Sequence, residues 1–186
     1  FWIGGNSGHA GRNALLRRAR GSKTFAQVTL ASIDGPATIN SLAFGGDDAL
    51  YVATIAQGLH RARRSGDGFA FEQVALPGGA QDEQVNQLAA DAHGRLWAAG
   101  MRGLGMFDGT RWRRFDIHDG LLENQVEPVT PADDGVWISY WNVEGISHVS
   151  LQAAGPPAVR HSRRPPELVG DTIYSAGHQS PGLLWL

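Results

Sequence analysis

The chain has 186 residues, 16 Lys and Arg against 18 Asp and Glu, no cysteine, and 42% hydrophobic residues, enough to bury a core. A formal charge of -2 gives no general attraction to nucleic acid or acidic lipid, and the lack of thiols excludes disulfides, thiolate metal sites and cysteine nucleophiles. No apolar run approaches the roughly 18 to 20 residues that cross a bilayer, so this segment is expected to make no membrane contact.

The chain opens on Phe1-Trp2-Ile3 and closes on Leu183-Leu184-Trp185-Leu186. Both ends are apolar and strand-like where natural domain ends are usually polar, and a stretch of a longer protein is expected. Gly4-Gly5-Asn6-Ser7-Gly8 follows the first strand without a convincing helix behind it and reads as a loop. Arg12 to Arg20 carries good helix formers, with Ala14, Leu15, Leu16 and Ala19 giving an apolar face. The repeat that follows puts a third strand there instead, and the strand is preferred.

From residue 38 onward the sequence repeats itself. A small or polar residue followed by Val or Ile recurs at Thr38-Ile39, Gln84-Val85, Gln125-Val126 and Thr172-Ile173, with the branched residues 46, 41 and 47 positions apart. An apolar residue and an aromatic follow at Leu50-Tyr51, Leu96-Trp97, Val136-Trp137 and Leu184-Trp185, the aromatic 12, 12, 11 and 12 residues beyond the branched position. Phe1-Trp2 is a fifth copy. Between the markers lie turn residues, at Gly45 to Asp48, Asp91 to Gly94 and Pro131 to Gly135. Third strands begin after Gly58, Gly103 and Gly145, and fourth strands follow Ser65-Gly66-Asp67-Gly68, Asp108-Gly109 and Gly155-Pro156-Pro157.

Four short strands in every ~40 to 50 residues predict an all-β fold, a fragment of a β-propeller. The expected blades are three full four-stranded units at 35–80, 81–122 and 123–168, flanked by partial ones at 1–34 and 169–186. Phe1-Trp2 and Leu184-Trp185 would compete for one slot in a closed four-blade ring, which is therefore disfavoured. The repeating Tyr or Trp is expected to pack between blades, since each sheet is covered only by its neighbours.

The run Phe107-Asp108-Gly109-Thr110-Arg111-Trp112-Arg113-Arg114-Phe115, then Asp119-Gly120-Leu121-Leu122-Glu123-Asn124-Gln125-Val126, resembles the two-component regulator propeller repeat, and Asp91, Gly94, Leu96 and Trp97 match its hairpin. Glu83, Asp171 and Ala37 depart from it by standing where the repeat has Asn, and Tyr51 replaces Trp. The resemblance implies the sensor region of bacterial hybrid histidine kinases and diguanylate cyclases: a ligand-sensing, periplasmic or otherwise extracytoplasmic segment of a transmembrane receptor, not an enzyme by itself. Its partners would be neighbouring blades of the same chain and a ligand, and a homodimer is compatible with it.

No residue pattern points to catalysis, a metal or a cofactor. The seven histidines show no metal-site spacing. The acidic pairs Asp82-Glu83, Asp133-Asp134 and Glu123 with Glu127 fall in turns and connectors, and no nucleophile elbow or phosphate-binding loop is present. Arginines at Arg61-Arg63-Arg64, Arg111-Arg113-Arg114 and Arg160-Arg163-Arg164 share one place in the repeat and are expected as solvated outer strands. A ligand surface is expected at the mouth of the ring, on the turns joining second to third strands and on the blade connectors. There Tyr140, Trp141 and Asn142 combine two aromatics with an amide, a set that can stack on a sugar ring and bond its hydroxyls, or equally pack the loop itself. Arg102, Asn6 and His9 occupy the corresponding loops. The expected ligand is a small molecule or glycan; a propeller polysaccharide lyase or hydrolase fragment and a protein-interaction scaffold are the competing readings.

Overall fold

The computed structural model describes residues 1–5, 15–30, 37–66, 68–79, 83–152, 156–163, 173, 176–179 and 183–185. Runs of branched and aromatic residues between Gly and Asp turns fold into short antiparallel strands. Strands β1 (Trp2–Ile3), β2 (Leu16–Arg17) and β3 (Ala26–Gln27) make a three-stranded sheet. Three four-stranded meanders follow, each in sequence order: β4 (Ile39–Phe44), β5 (Leu50–Thr54), β6 (Leu59–Ser65) and β7 (Gly68–Val74); β8 (Val85–Ala90), β9 (Leu96–Gly100), β10 (Gly103–Phe107) and β11 (Trp112–Phe115); β12 (Val126–Pro131), β13 (Gly135–Tyr140), β14 (Ile146–Ser150) and β15 (Ala158–Ser162). β16 (Gly177–Gln179) and β17 (Leu183–Trp185) form a last pair. Among the described residues the one helical element is a 3₁₀ turn at Ile117–Asp119. The fold is thus three full propeller blades between two partial ones. Leu16–Arg17 is strand, as the repeat requires and the local helix propensity does not.

The marker aromatics hold equivalent places, each on the sheet face turned toward the next blade. Tyr51, fully buried, clusters with Val85, Leu88, Leu96, Ala98 and Phe107 of the second full blade. Trp97, also fully buried, clusters with Val126, Val129, Val136 and Ile138 of the third. Trp137 is partly exposed; it lies over the His148 ring at 4.6 Å and borders the junction with Ile173 and Ala176. Burying a ring of this size contributes roughly 2 to 3 kcal/mol.

The polar tip of each of the two buried marker aromatics is satisfied by the Asp of its own hairpin. Trp97 Nε1 donates to Asp91 Oδ2 at 2.8 Å, and Tyr51 Oη donates to Asp47 Oδ2 at 3.2 Å. Asp91 Oδ1 also accepts the amides of His93 and Arg95 at 2.9 and 3.0 Å, so one carboxylate fixes both turn and ring. Burial pushes the Asp91 carboxyl up, but the bonds from Trp97 and Arg95 outweigh it and hold the group below its ordinary pKa. The turns also touch across blades. Gly46 N donates to Gly94 O at 3.1 Å, an approach that a Cβ on Gly46 would block by overlapping that oxygen.

The inner strands are stitched by side chains. Each carries a bulge near its start, between Ile39 and Ser41, Val85 and Gln87, and Val126 and Val129. In the first two, Asn40 Nδ2 donates to Val85 O at 3.1 Å and Asn86 Nδ2 to Val126 O at 3.2 Å. Deeper in, Leu88 N donates to Ser41 Oγ at 3.0 Å, Val129 N to Gln87 Oε1 at 2.7 Å, and Thr130 Oγ1 to Ala176 O at 2.9 Å. No backbone ladder is needed between blades.

The outer arginines divide. Arg111 and Arg63 are 85% and 57% exposed, as solvated outer-strand residues should be. Arg114 and Arg61 correct that expectation. Arg114 makes a two-pronged ion pair with Glu83 at 2.7 and 2.8 Å and donates to the carbonyls of Pro77 and Arg102, fastening the connector to the outer strand. Arg61 pairs with Asp47 and Glu72 and lies over the Tyr51 and Phe107 rings. Arg164 lies outside the described residues.

Trp97→Ala is expected to lower unfolding free energy by about 3 to 5 kcal/mol, more than Trp137→Ala, in guanidinium titrations. Because the folded Asp91 carboxyl is depressed, its contribution is complete above the ordinary value of 3.8 and fades as pH falls below it. Asp91→Asn should therefore destabilise the fold at neutral pH and flatten the loss of stability that the native chain shows below that value, read from melting temperature against pH.

Candidate functional site

Because the strands alternate in direction, the start of each first strand, the turn from second to third strand and the connector leaving the fourth all gather at one end of the blade. A single backbone bond recurs there. The amides of Ile55, Met101 and Trp141 donate to the carbonyls of Thr38, Gln84 and Gln125 at 3.1, 3.2 and 3.1 Å. These three residues stand at one repeat position, four beyond Tyr51, Trp97 and Trp137, and all are large and apolar. Ile55 is 42% exposed, Trp141 46%, and Met101 partly exposed.

The Trp141 turn is held from below by Glu123. Its carboxylate accepts the amides of Asn142 and Val143 at 3.0 and 3.2 Å and the Asn142 side-chain amide at 2.5 Å. Gln125 Oε1 accepts the same Asn142 nitrogen at 3.1 Å. Asn142 therefore spends its side-chain donors inside the turn, and what the turn presents outward is the Trp141 ring. Arg102 is exposed on the equivalent turn of the preceding blade.

Tyr140 is not part of that surface, and here the paired-aromatic expectation is corrected. β13 keeps its alternation to its last residue, so Tyr140 follows Val136 and Ile138 onto the face turned toward the preceding blade and is fully buried. Its Oη accepts from Leu122 N at 3.2 Å and lies 2.7 Å from Ser147 Oγ. Burial raises the pKa of this hydroxyl, which stays neutral. Tyr140 can position the connector but cannot stack on a ligand. Asn6 and His9 lie outside the described residues.

Ile55, Met101 and Glu123 were missed as site residues. The first two share a constant offset from the marker aromatic, a signal that the sequence contains; Glu123 reaches its turn across 19 positions, and no local pattern announces that. Further apolar groups are exposed in the Trp141 turn and in the connector before it, namely Val143 at 36% and Ile117 and Leu122 at 49 and 38%. His93, in the Asp91 to Gly94 turn, places Nε2 3.0 Å from Asp133 O of the next blade, at the opposite end from this mouth. Among the described residues no three His, Asp or Glu side chains are placed to hold a metal ion, and no helix is long and apolar enough to cross a membrane.

Glu123→Ala should leave melting temperature within a few degrees while speeding amide exchange at Asn142 and Val143, since three bonds to the turn are lost. Unchanged exchange would remove Glu123 from this role.

No family model matches the chain, and no curated protein does. Solved structures share its fold. The extracellular domain of the proposed one-component system BT4673 from B. thetaiotaomicron matches with a TM-score of 0.65 at 19% identity, over 99% of this chain and 26% of that one. A second structure, described as the extracellular domain of the proposed hybrid two-component system BT4673 from the same organism, gives 0.63 at 17% identity with the same coverages. The extracellular domain of the proposed hybrid two-component system BT3049 from B. thetaiotaomicron gives 0.54 at 20% identity, over 74% of this chain and 20% of that one. The chain thus spans about a quarter of the length of the first two. The likeness establishes the propeller fold.

Proposed function

We propose that the chain is part of the ligand-sensing, extracytoplasmic region of a bacterial transmembrane receptor, either a two-component sensor kinase or a diguanylate cyclase, and is itself non-catalytic. The ligand, a small molecule or glycan, is received at the mouth where the second-to-third-strand turns converge. The carrying observation is the repeated Ile55, Met101 and Trp141 position, fixed by one bond in three blades and left partly exposed. A rigid blade scaffold that displays variable turns at one end suits recognition. The extracellular placement of the domains that share the fold, and the resemblance of residues 107–126 to sensor repeats, support the same reading. In it Trp141 supplies the stacking face, Arg102 a cation for a polar group of the ligand, and Glu123 with Asn142 the fixed geometry of the turn.

A protein partner at the same end is the second reading, favoured by the apolar surround of Ile117, Leu122 and Val143. Calorimetric titration of the full-length protein with an oligosaccharide panel separates the two. Trp141→Ala and Arg102→Ala should each weaken ligand binding by about tenfold, near 1.4 kcal/mol, with melting temperature preserved. Binding that neither substitution alters would overturn the mouth as the site.

A further inference from the structure

We infer that His161, Ser147 and Tyr140 form a proton-responsive relay linking the outer strand of the third full blade to the connector beneath Trp141. The chain of contacts is continuous. Leu122 N lies 3.2 Å from Tyr140 Oη, which lies 2.7 Å from Ser147 Oγ, which lies 2.7 Å from His161 Nδ1. Tyr140 and Ser147 are fully buried, whereas His161 is exposed on β15. Ser147 and His161 are register partners, and Val159, on the same face, stands where a Cβ on Gly120 of the connector would touch it.

The backbone amide of Leu122 only donates, and with that end set one arrangement of the neutral relay gives every hydrogen an acceptor. Tyr140 Oη accepts from Leu122, passes its own hydrogen to Ser147, and Ser147 passes its hydrogen to His161 Nδ1. That arrangement needs Nδ1 to be bare. When the imidazole takes up a second proton, Nδ1 becomes a donor and Ser147 must accept from it. The Ser147 hydrogen then either turns to Tyr140 Oη, which already receives the Leu122 amide, or is itself left over while Ser147 accepts from both neighbours. The described residues give the two hydroxyls no further acceptor, so either way one hydroxyl hydrogen of the Tyr140 and Ser147 pair is left without an acceptor in a closed core. An orphaned buried hydroxyl is unfavourable, and opening of the connector at Leu122, which lets water reach the pair and accept that hydrogen, relieves it. Leu122 is the lever. It adjoins Glu123, which holds the Trp141 turn, and a Cβ on Gly145 would come within 2.6 Å of its side chain. Protonation at the blade's outer edge thereby loosens the support of the mouth.

The other charged or titratable groups on described elements around His161 are Arg160 on its strand, Arg163 just beyond it, His148 on β14, Glu144 in the turn, and Asp116, His118, Asp119 and Glu123 in the connector, with Arg113 4.0 Å from Asp119. Asp116 and Asp119 cap the 3₁₀ turn, and Glu123 caps the Trp141 turn. His148 turns to the opposite face, where it meets Trp137 and Asp134. His118 is the remaining imidazole in the connector and serves as the control.

The relay exists whether or not the mouth binds a ligand, so its test needs none. Deuterium exchange of residues 116–125 is followed in the full-length protein at roughly pH 5.5 and 7.5, on either side of imidazole titration, with the intrinsic pH dependence of exchange removed. The native protein should lose protection at Leu122 several-fold on acidification. His161→Phe and Ser147→Ala should abolish that pH dependence, and His118→Gln should keep it. A flat native response overturns the relay, as does an acid response that persists in His161→Phe, the exposed substitution that leaves the buried core untouched.

Discussion

A four-stranded sheet standing alone leaves two faces and an inner edge uncovered, and this chain meets the problem with one device used repeatedly. The second strand of each blade sends an aromatic into the face of the next, and the hairpin Asp satisfies the ring's polar tip where that ring is buried, as Asp91 does for Trp97 and Asp47 for Tyr51. Burial of the ring and fixation of the turn are therefore one event. Without the carboxylate, Trp97 would bury an indole N–H with no partner, and the turn would lose its own amide acceptor.

The edge is handled differently from the face. The backbone ladders end within each blade, and apart from single backbone bonds such as Gly46 N to Gly94 O, side-chain hydroxyls and carboxamides cross the inner gap. Packing thus sets how far apart the blades lie, and the side-chain bonds set how they are offset along the axis. With both fixed, the turns at the mouth can differ in sequence without disturbing the scaffold. Ile55, Met101 and Trp141 are three unlike side chains held by the same backbone bond, and the difference among them is free to serve recognition.

Much of the fold was legible because its signals are local. A branched residue, a turn rich in Gly and Asp, and an aromatic about twelve positions on are read from one stretch of chain, and Leu16–Arg17 was placed as strand by that spacing against its helix propensity. What lay beyond reach depended on distant partners. The Glu83 and Arg114 pair joins residues 31 apart, and nothing near either one distinguishes it from a solvated charge. Asn40 and Asn86 sit in plain view beside the branched markers, yet their use depends on a bulge that aims them at the adjacent blade. Tyr140 is a different kind of miss. It was grouped with Trp141 as a loop aromatic, although counting by twos from Val136 carries it into the core.

Every bond of the inner stitching has a main-chain group on one side, the carbonyls of Val85, Val126 and Ala176 or the amides of Leu88 and Val129. A carbonyl is supplied by every residue, so a donor such as Asn40 makes no demand on the identity of what it meets. Joints of this kind are blind to sequence, and a gene segment encoding one wedge can be duplicated, lost or exchanged without rewriting its neighbour. Arrays that lengthen and diversify by copying need couplings of that sort, with the individuality of each copy confined to its turns.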